Sequence, residues 1–142
     1  MAQLHLQDLL QRVVAPGIGN PCAYLLPLVD RVSGLLNDKE SVYMDLKVGL
    51  NFEDANCVAE LARDVLAFSN TYGGVLIFGA TVDPRVVGHP ELDSRLLREK
   101  LGPFMGTMVS YETGLCKIHV GGSEKSLPYI LVFRCTRAYP NL

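Results

Sequence analysis

The stretch from 40 to 83 constrains the fold most, because its apolar residues follow the pattern of a strand, then of a helix, then of a second strand. Apolar and polar residues alternate over 40–48, as they do in a strand that is buried on one face. An amphipathic stripe follows and ends at Gly73–Gly74, a pair that suits a left-handed helix end and a tight turn. Residues 75–80 are continuously apolar, which predicts a central strand buried on both faces.

The two faces of the first predicted strand differ in polarity. Side chains alternate along a strand, so residues that are two apart in sequence share a face. One face is apolar and suits the core, whereas the other carries a carboxylate, an ammonium group and a phenol. The apolar face comprises Val42, Met44, Leu46 and Val48, and the polar face comprises Tyr43, Asp45 and Lys47.

The remainder of the chain adds a helix and several short strands. Pro90 suits the first turn of a helix that covers 92–101, and Gly102–Pro103 ends this helix. Together with the strand–helix–strand unit, these elements predict an α+β fold in which a mixed β-sheet is packed by helices. Further strands are predicted over 86–87, 108–111, 115–120 and 129–135, with turns at Asp83–Pro84 and Thr113–Gly114 and a longer loop from Gly121.

The chain is predicted to form one compact domain that includes an N-terminal helical pair. Its 142 residues suit a single domain, and 49% of them are hydrophobic, which is enough for a core. Apolar residues at helical spacing predict an N-terminal helical segment over 1–36. A polar break at 37–39 opens the main domain, which is expected to cover 37–142.

Composition excludes several classes of protein. The net charge is −2, which excludes a protein that coats nucleic acid through bulk positive charge, so nucleic-acid binding would need a local basic patch. No apolar run approaches the roughly 20 residues of a membrane span, and residues 1–12 lack the pattern of a signal peptide. The four scattered cysteines are therefore predicted to be reduced, and the protein to be cytoplasmic or nuclear, away from any membrane.

Asp45 and Lys47 are the strongest local candidates for chemistry. A carboxylate in this position can hold Mg²⁺ or Mn²⁺, and a neighbouring lysine can orient water or stabilise the charge that develops on a phosphorane. Asp83 follows the apolar strand and Glu40 precedes the first strand, so each could approach Asp45. The alternative is that Asp45 and Lys47 form an ordinary ion pair and that Asp83 belongs to a turn.

The wider pattern resembles the Schlafen/AlbA_2 family. The resemblance rests on the segments Glu40–Lys47 and Ala67–Ala80, followed by Asp83 and Gly88, and it spans about 40 to 101. Three features depart from the family pattern. Asp45 stands where the family usually has Glu, Ala80-Thr81-Val82 replaces a Gly-Val-acidic run, and an Arg-x-Gly-Ser segment that often follows is absent.

The resemblance implies an α+β fold and nucleic-acid binding. Schlafen proteins are endoribonucleases that act on tRNA and rRNA through three acidic residues and a divalent metal, and bacterial members of the family are described as DNA-binding. By motif position the three acidic residues fall on Glu40, Asp45 and Asp83, with Lys47 beside them. The Schlafen nuclease core contains two such lobes and this chain has one, so the resemblance implies a homodimer or a second Schlafen-like lobe as partner.

Basic and aromatic side chains around this unit are the candidate nucleic-acid contacts. A phosphate backbone needs a cluster of cations, and a tyrosine can stack on a base. The alternative for the basic residues is a solvated helix face. The candidates are Lys47, Tyr43, Arg85, Arg95, Arg98 and Lys100.

A second function also fits the sequence, namely a non-enzymatic interaction or oligomerisation module that docks through its apolar N-terminal helices. The low content of basic residues and the missing Arg-x-Gly-Ser segment favour this module. Acidic residues at all three family positions favour nucleic-acid binding with metal-dependent cleavage.

Overall fold

The computed structural model describes residues 44–81, 85–106 and 109–135 and shows an α+β fold. The elements are β1 (Met44–Lys47), α1 (Ala55–Ser69), β2 (Gly74–Phe78), α2 (Ser94–Leu101), β3 (Tyr111–Val120) and β4 (Ser123–Val132). The strands form one sheet in the order β1-β2-β4-β3. β1 is parallel to β2, whereas β4 is antiparallel to both of its neighbours. The predicted mixed sheet is therefore confirmed.

Apolar side chains cover both faces of the sheet. On one face, α1 and α2 pack against β2 and β4, and the opposite face carries a second buried cluster. Each large apolar side chain that is fully buried contributes about 1.5–3 kcal/mol to folding, so the two clusters supply most of the favourable free energy. The helix-side cluster includes Leu61, Val65, Leu76, Phe78, Leu97 and Ile130, and the opposite cluster includes Met44, Leu46, Val75, Ile77, Ile118 and Leu131.

β2 is the central strand that the sequence predicts. All five of its residues are buried, and it lies between β1 and β4. Leu76 and Phe78 belong to the helix-side cluster, whereas Val75 and Ile77 belong to the opposite cluster. A strand that is covered on both faces needs apolar residues at every position, which explains its continuous apolar sequence.

Local hydrogen bonds fix both ends of α1. The Asp54 side chain caps the helix, because its Oδ1 accepts from the backbone N–H of Asn56 at 2.9 Å and of Cys57 at 3.3 Å. At the other end, the N–H of Gly73 donates to the carbonyl oxygen of Phe68 at 2.8 Å. Gly73 has a φ of 77°, the left-handed conformation that the sequence predicts for this pair of glycines.

The prediction for the start of α2 is wrong. The helix begins at Ser94, and Asp93 caps it by accepting from the N–H groups of Arg95 and Leu96 at 3.1 Å. Pro90 therefore lies before the helix rather than in its first turn. An aspartate cap satisfies two backbone donors, which a proline at that position does not, so the cap decides where the helix starts.

The last strands also differ from the prediction. The sequence predicts strands over 108–111, 115–120 and 129–135 with a turn at Thr113–Gly114, but β3 and β4 form one long hairpin. Its two-residue turn is Gly121–Gly122, where both glycines have positive φ, 57° and 82°. Such a turn requires two residues in this conformation, which glycine adopts without strain.

Tertiary contacts explain why Gly114 and Pro128 fit inside strands. A Cβ on Gly114 would lie 2.3 Å from Cζ of Tyr129, so glycine makes room for the ring of its cross-strand partner. Pro128 lies one residue beyond the part of β4 that pairs with β2. Its missing N–H therefore costs no hydrogen bond to β2. Both residues indicate turns when they are considered by sequence alone.

Some predictions lie outside the described residues, namely the helical pair over 1–36, the beginning of the first strand and the turn at Asp83–Pro84.

The prediction that all cysteines are reduced is wrong for Cys116, which is buried and disulfide-bonded, whereas Cys57 is a free cysteine. No helix within the described ranges is long and apolar enough to cross a membrane.

Candidate functional site

The predicted pair Asp45 and Lys47 lies at the edge of the sheet, on the face that the helices cover. In the register of β1 with β2, Asp45 is opposite Leu76 and Lys47 is opposite Phe78, and both partners belong to the helix-side cluster. Because β1 is the edge strand of the sheet that the described residues form, the helices cover these two side chains only in part. Their exposed fractions are 22% for Asp45 and 19% for Lys47. Both groups are therefore held firmly but remain within reach of a ligand.

A third charged residue, Asp64 of α1, completes this site. Lys47 Nζ lies 2.7 Å from Asp64 Oδ2 and 3.1 Å from Asp45 Oδ2, so one ammonium group contacts two carboxylates. We call these three residues the acidic–lysine cluster. The sequence pattern did not identify Asp64. Its one local signal is its position just before Val65, at the border of the buried stripe, where a charged side chain can reach over the edge of the sheet.

The electrostatics of the cluster follow from partial burial and mutual contact. Burial raises the pKa of Asp45 above its ordinary value, the charge and hydrogen bond of Lys47 oppose this rise, and the neighbouring Asp64 adds to it. For Lys47, burial lowers the pKa, but the hydrogen bonds to Asp64 and Asp45 outweigh burial and raise it. Lys47 is therefore firmly cationic, and Asp45 takes up a proton more readily than an exposed aspartate.

The backbone at the end of β1 is tied to the segment that follows β2. The carbonyl oxygen of Lys47 accepts from the N–H groups of Gly79 at 2.8 Å and Ala80 at 3.2 Å. The carbonyl oxygen of Gly79 in turn accepts from Val87 at 2.7 Å and Gly88 at 2.8 Å. These bonds position Lys47 relative to the chain that leaves β2.

His89 connects the loops on both sides of this edge. Its Nε2 accepts from the N–H of Leu50, in the loop between β1 and α1, at 3.4 Å. Its Nδ1 lies 2.7 Å from the carbonyl oxygen of Pro90, and its backbone N–H donates to the carbonyl oxygen of Ser126 at 2.9 Å. With Nε2 accepting, the proton belongs on Nδ1, which then donates to Pro90.

The three-carboxylate metal site remains a prediction. Glu40 and Asp83 lie outside the described residues, as does Tyr43, so the geometry bears only on Asp45. Within 44–81, 85–106 and 109–135, no group of three His, Cys, Asp or Glu side chains could hold a metal ion. Asp45 and Asp64 offer oxygen donors of the kind that Mg²⁺ and Mn²⁺ prefer, but the ammonium group of Lys47 already contacts both carboxylates.

The predicted basic contacts lie in two further places. Arg95, Arg98 and Lys100 are exposed on α2, and Arg85 is exposed beside the short bridge between Ala80 and Val86. Arg95 Nε lies 3.5 Å from Oε1 of Glu99, one helical turn away. Lys47 belongs to the acidic–lysine cluster and is only 19% exposed, so it is not part of this exposed set.

Arg98 also acts on a tyrosine of β3. Burial raises the pKa of Tyr111, and the positive charge of Arg98 opposes this rise. The side chain of Arg98 itself is exposed to solvent.

Comparisons with known proteins bear on the fold. No protein-family model matches the chain, and no curated protein matches its sequence. Among solved structures, the chain is similar to the crystal structure of the DIP2311 protein from Corynebacterium diphtheriae, with 20% sequence identity and a TM-score of 0.54. The similarity covers 93% of this chain and 23% of that chain, so this chain corresponds to under a quarter of the longer protein. At this level of identity the likeness shows the α+β fold alone.

Proposed function

We propose that this chain is a nucleic-acid-binding domain of the Schlafen/AlbA_2 type. The observation that carries the proposal is that Lys47 and Asp45, two residues of the family motif, lie side by side and partly exposed at the edge of the sheet. The motif resemblance and the exposed cations of α2 and Arg85 also support it. Binding through these local groups is compatible with an overall net charge of −2.

The charge of the acidic–lysine cluster indicates how it would meet a phosphate. Two carboxylates and one ammonium group carry a net charge of about −1 near neutral pH, which repels a phosphate backbone. A divalent cation on the carboxylates would reverse this sign and could bridge to phosphate oxygens. We therefore expect binding at this cluster to depend on Mg²⁺ or Mn²⁺.

Metal-dependent cleavage of RNA is the enzymatic form of the proposal. A divalent ion held by Asp45, with Glu40 and Asp83 as the family motif implies, would polarise the scissile phosphate. Lys47 is cationic and partly exposed, so it can stabilise the charge that develops on the phosphoryl oxygens. Asp64 keeps Lys47 oriented through its 2.7 Å contact. tRNA and rRNA are the substrates that the resemblance implies.

The same contacts favour one rival function. Lys47 bridges β1 and α1 through the two carboxylates, which is also what a purely structural ion cluster does. If the cluster is only structural, the alternative expected from the sequence remains, namely a non-enzymatic interaction or oligomerisation module that docks through the apolar residues of the N-terminal segment.

A binding and cleavage assay separates these functions. Labelled tRNA and DNA are incubated at low salt, with and without Mn²⁺, with the wild type, Asp45→Asn, Asp64→Asn and Glu60→Gln. Glu60 is exposed on the same helix as Asp64, so its substitution removes an equal charge outside the cluster. We expect Mn²⁺ to strengthen binding by the wild type, Asp45→Asn to reduce cleavage about 100-fold while the fold is retained, and Glu60→Gln to match the wild type.

Two results would change the proposal. Binding without cleavage in any metal would leave a nucleic-acid-binding domain that is not an enzyme. If neither nucleic acid binds at low salt, with or without Mn²⁺, nucleic-acid binding is wrong and the interaction module replaces it. Size-exclusion chromatography of the same samples then shows whether the chain forms a dimer.

A further inference from the structure

The second face of the sheet is buried, although neither α1 nor α2 packs on it. Both helices contribute to the helix-side cluster. Within 44–81, 85–106 and 109–135, every buried member of the opposite cluster comes from a strand or from the bridge between Ala80 and Val86. Side chains on one face of a sheet stand side by side and point away from the strands, so they cannot shield one another from water. A second layer must therefore cover this face.

The β3–β4 hairpin shows the need for a cover most clearly. β4 pairs with β2 over Tyr129–Val132, so the rest of the hairpin extends beyond the end of β2 as a two-stranded ribbon. Ile118 and Leu127 lie on this ribbon, and they are only 3% and 5% exposed. On the other face of the ribbon, Lys117 and His119 are exposed. A two-stranded ribbon does not bury one of its faces by itself, so another part of the protein packs on that face.

The cover comes from the chain itself, and its size identifies the segment. The structure consists of one chain, so residues outside the described ranges supply the second layer. The stretches 82–84, 107–108 and 136–142 are too short to form a layer over four strands, which span about 15 Å across. The N-terminal stretch is long enough, and it carries the apolar stripe at helical spacing that a covering layer requires. The stripe comprises Leu4, Leu6, Leu9, Leu10, Val13 and Val14.

A disulfide bond on the same face points to the same segment. Cys116 belongs to the opposite cluster and is disulfide-bonded, whereas Cys57 is a free cysteine. The cross-strand partner of Cys116 is Leu127, and Cys135 lies beyond the end of β4, roughly 16 Å further along the strand. The Cα atoms of a disulfide bond lie within about 7 Å of each other, which excludes Cys135. The sequence contains one further cysteine, Cys22, in the N-terminal segment.

We propose that the segment over 1–36 covers the second face of the sheet and is anchored there by a disulfide bond between Cys22 and Cys116. The bond forms when the two thiols lose two protons and two electrons to a disulfide oxidant such as oxidised glutathione, which is reduced to two thiols. It closes a loop from 22 to 116, and closure of so long a loop strongly restricts the unfolded chain.

This inference does not depend on nucleic-acid binding, and it bears on the rival function. The apolar residues of 1–36 are the docking surface that the sequence assigns to an interaction module. Residues that cover the sheet of their own chain are not available to a partner, so the module would lose that surface. The acidic–lysine cluster stays accessible, because Asp45 and Lys47 lie on the face that the helices cover.

Peptide mapping tests the anchor. The full chain is treated with oxidised glutathione, its remaining thiols are blocked with iodoacetamide, and it is digested with trypsin and analysed by mass spectrometry. Cys22 and Cys116 fall in separate tryptic peptides, 13–31 and 101–117. We expect these two peptides to be joined, and to separate when dithiothreitol is added before the blocking step. The anchor is wrong if 101–117 is recovered alone, or joined to any other peptide or to a second copy of itself.

Urea unfolding tests the anchor in the intact protein. Dithiothreitol should lower the urea midpoint of the wild type by about 1 M, because the unfolded chain is no longer restricted by the closed loop. Cys22→Ser should already have the lower midpoint and should not respond to dithiothreitol. Cys57→Ser is the control, because it removes a cysteine that is free, and it should respond as the wild type does. An equal response of the wild type and Cys22→Ser would overturn the anchor.

Alkylation of Cys116 tests the cover separately. Cys22→Ser leaves Cys116 as a thiol, and its rate of reaction with iodoacetamide reports whether the face is open. We expect this rate to be at least about 10-fold lower than that of the half-buried Cys57 in the same protein. Adding Leu9→Asp places a charge in the apolar stripe and should raise the rate at Cys116 about 10-fold. Gln11→Asp is the matched control, because it adds the same charge at a polar position and should leave the rate unchanged.

Two results would overturn the cover. The first is a Cys116 in Cys22→Ser that reacts as fast as Cys57. The second is an equal change of its rate by Leu9→Asp and Gln11→Asp. If Leu9→Asp does not fold, Leu9→Ala gives the same comparison, because it only shortens the side chain, and a rate at Cys116 that equals the rate in Gln11→Asp again overturns the cover.

Discussion

Gly79→Ala is expected to lower the free energy of unfolding by about 3 kcal/mol. Gly79 has a φ of 89°, in the region that side chains rarely adopt. A Cβ there would also lie 2.6 Å from the carbonyl carbon of Gly88 and 2.8 Å from the backbone nitrogen of His89. Backbone atoms cannot rotate away as a side chain does. The substitution must therefore push apart the two segments whose hydrogen bonds position Lys47.

Gly122→Ala provides the matched control for this effect. Gly122 has a similar φ of 82°, but nothing lies within 4 Å of the Cβ that would be added. We expect Gly122→Ala to lower the free energy of unfolding only by the cost of a side chain at positive φ, about 1 kcal/mol. Urea unfolding of both variants measures the difference. Equal losses of unfolding free energy at the two positions would show that the close approach of Gly79 to Gly88 adds nothing to the cost of the substitution.

The strand–helix–strand unit could be predicted because its signals are local. Val58, Leu61 and Val65 repeat at helical spacing, and that spacing alone places them on one buried stripe. The residues of β2 are all apolar, and only a strand covered on both faces requires this. The parallel pairing of β1 with β2 then follows from a helical connection between two adjacent strands.

The hairpin could not be predicted, because two of its residues give misleading local signals. Gly114 and Pro128 indicate turns by their own conformational preferences. In the folded chain, the ring of Tyr129 fills the space beside Gly114, and Pro128 lies past the end of the pairing with β2. Both effects depend on cross-strand neighbours, which a single sequence does not reveal.

The candidate site was only half predictable for a similar reason. Asp45 and Lys47 are two residues apart on a strand, so their shared face follows from sequence spacing. Asp64 joins them because α1 packs over the edge of β1, and that distance depends on helix packing rather than on spacing. The basic residues of α2 are exposed, as both predicted alternatives, a nucleic-acid contact and a solvated helix face, require.

Lys47→Met is expected to lower the free energy of unfolding by about 2 kcal/mol near neutral pH. Methionine keeps the length of the side chain but removes the charge that both carboxylates contact. Asp45 and Asp64 would then repel each other in a partly buried place. The loss should be large because the partners remain behind, without the ion that neutralised them.

The same variant should show a characteristic dependence on pH. In the wild type, the charge and hydrogen bond of Lys47 lower the pKa of Asp45, so removal of Lys47 raises that pKa further above the ordinary value of 3.8. A carboxyl group with a raised pKa in the folded state destabilises the fold when ionised, and this penalty shrinks as pH falls through the folded pKa and disappears below 3.8. The gap between Lys47→Met and the wild type should therefore narrow as the pH is lowered from neutral.

At alkaline pH, the wild type loses the stabilising contribution of Lys47. The folded pKa of Lys47 is raised, so its contribution is fully present below its ordinary value of 10.5 and is lost as pH rises through the folded pKa. Lys47→Met has no such contribution to lose, so the free energies of unfolding of the variant and the wild type should also converge at high pH.

Urea unfolding at a series of pH values measures the acidic and the alkaline convergence. Arg95→Met is the control, because its pair with Glu99 is 89% and 60% exposed and should contribute little. If Lys47→Met is as stable as Arg95→Met at neutral pH, the contacts of the acidic–lysine cluster between β1 and α1 do not stabilise the fold.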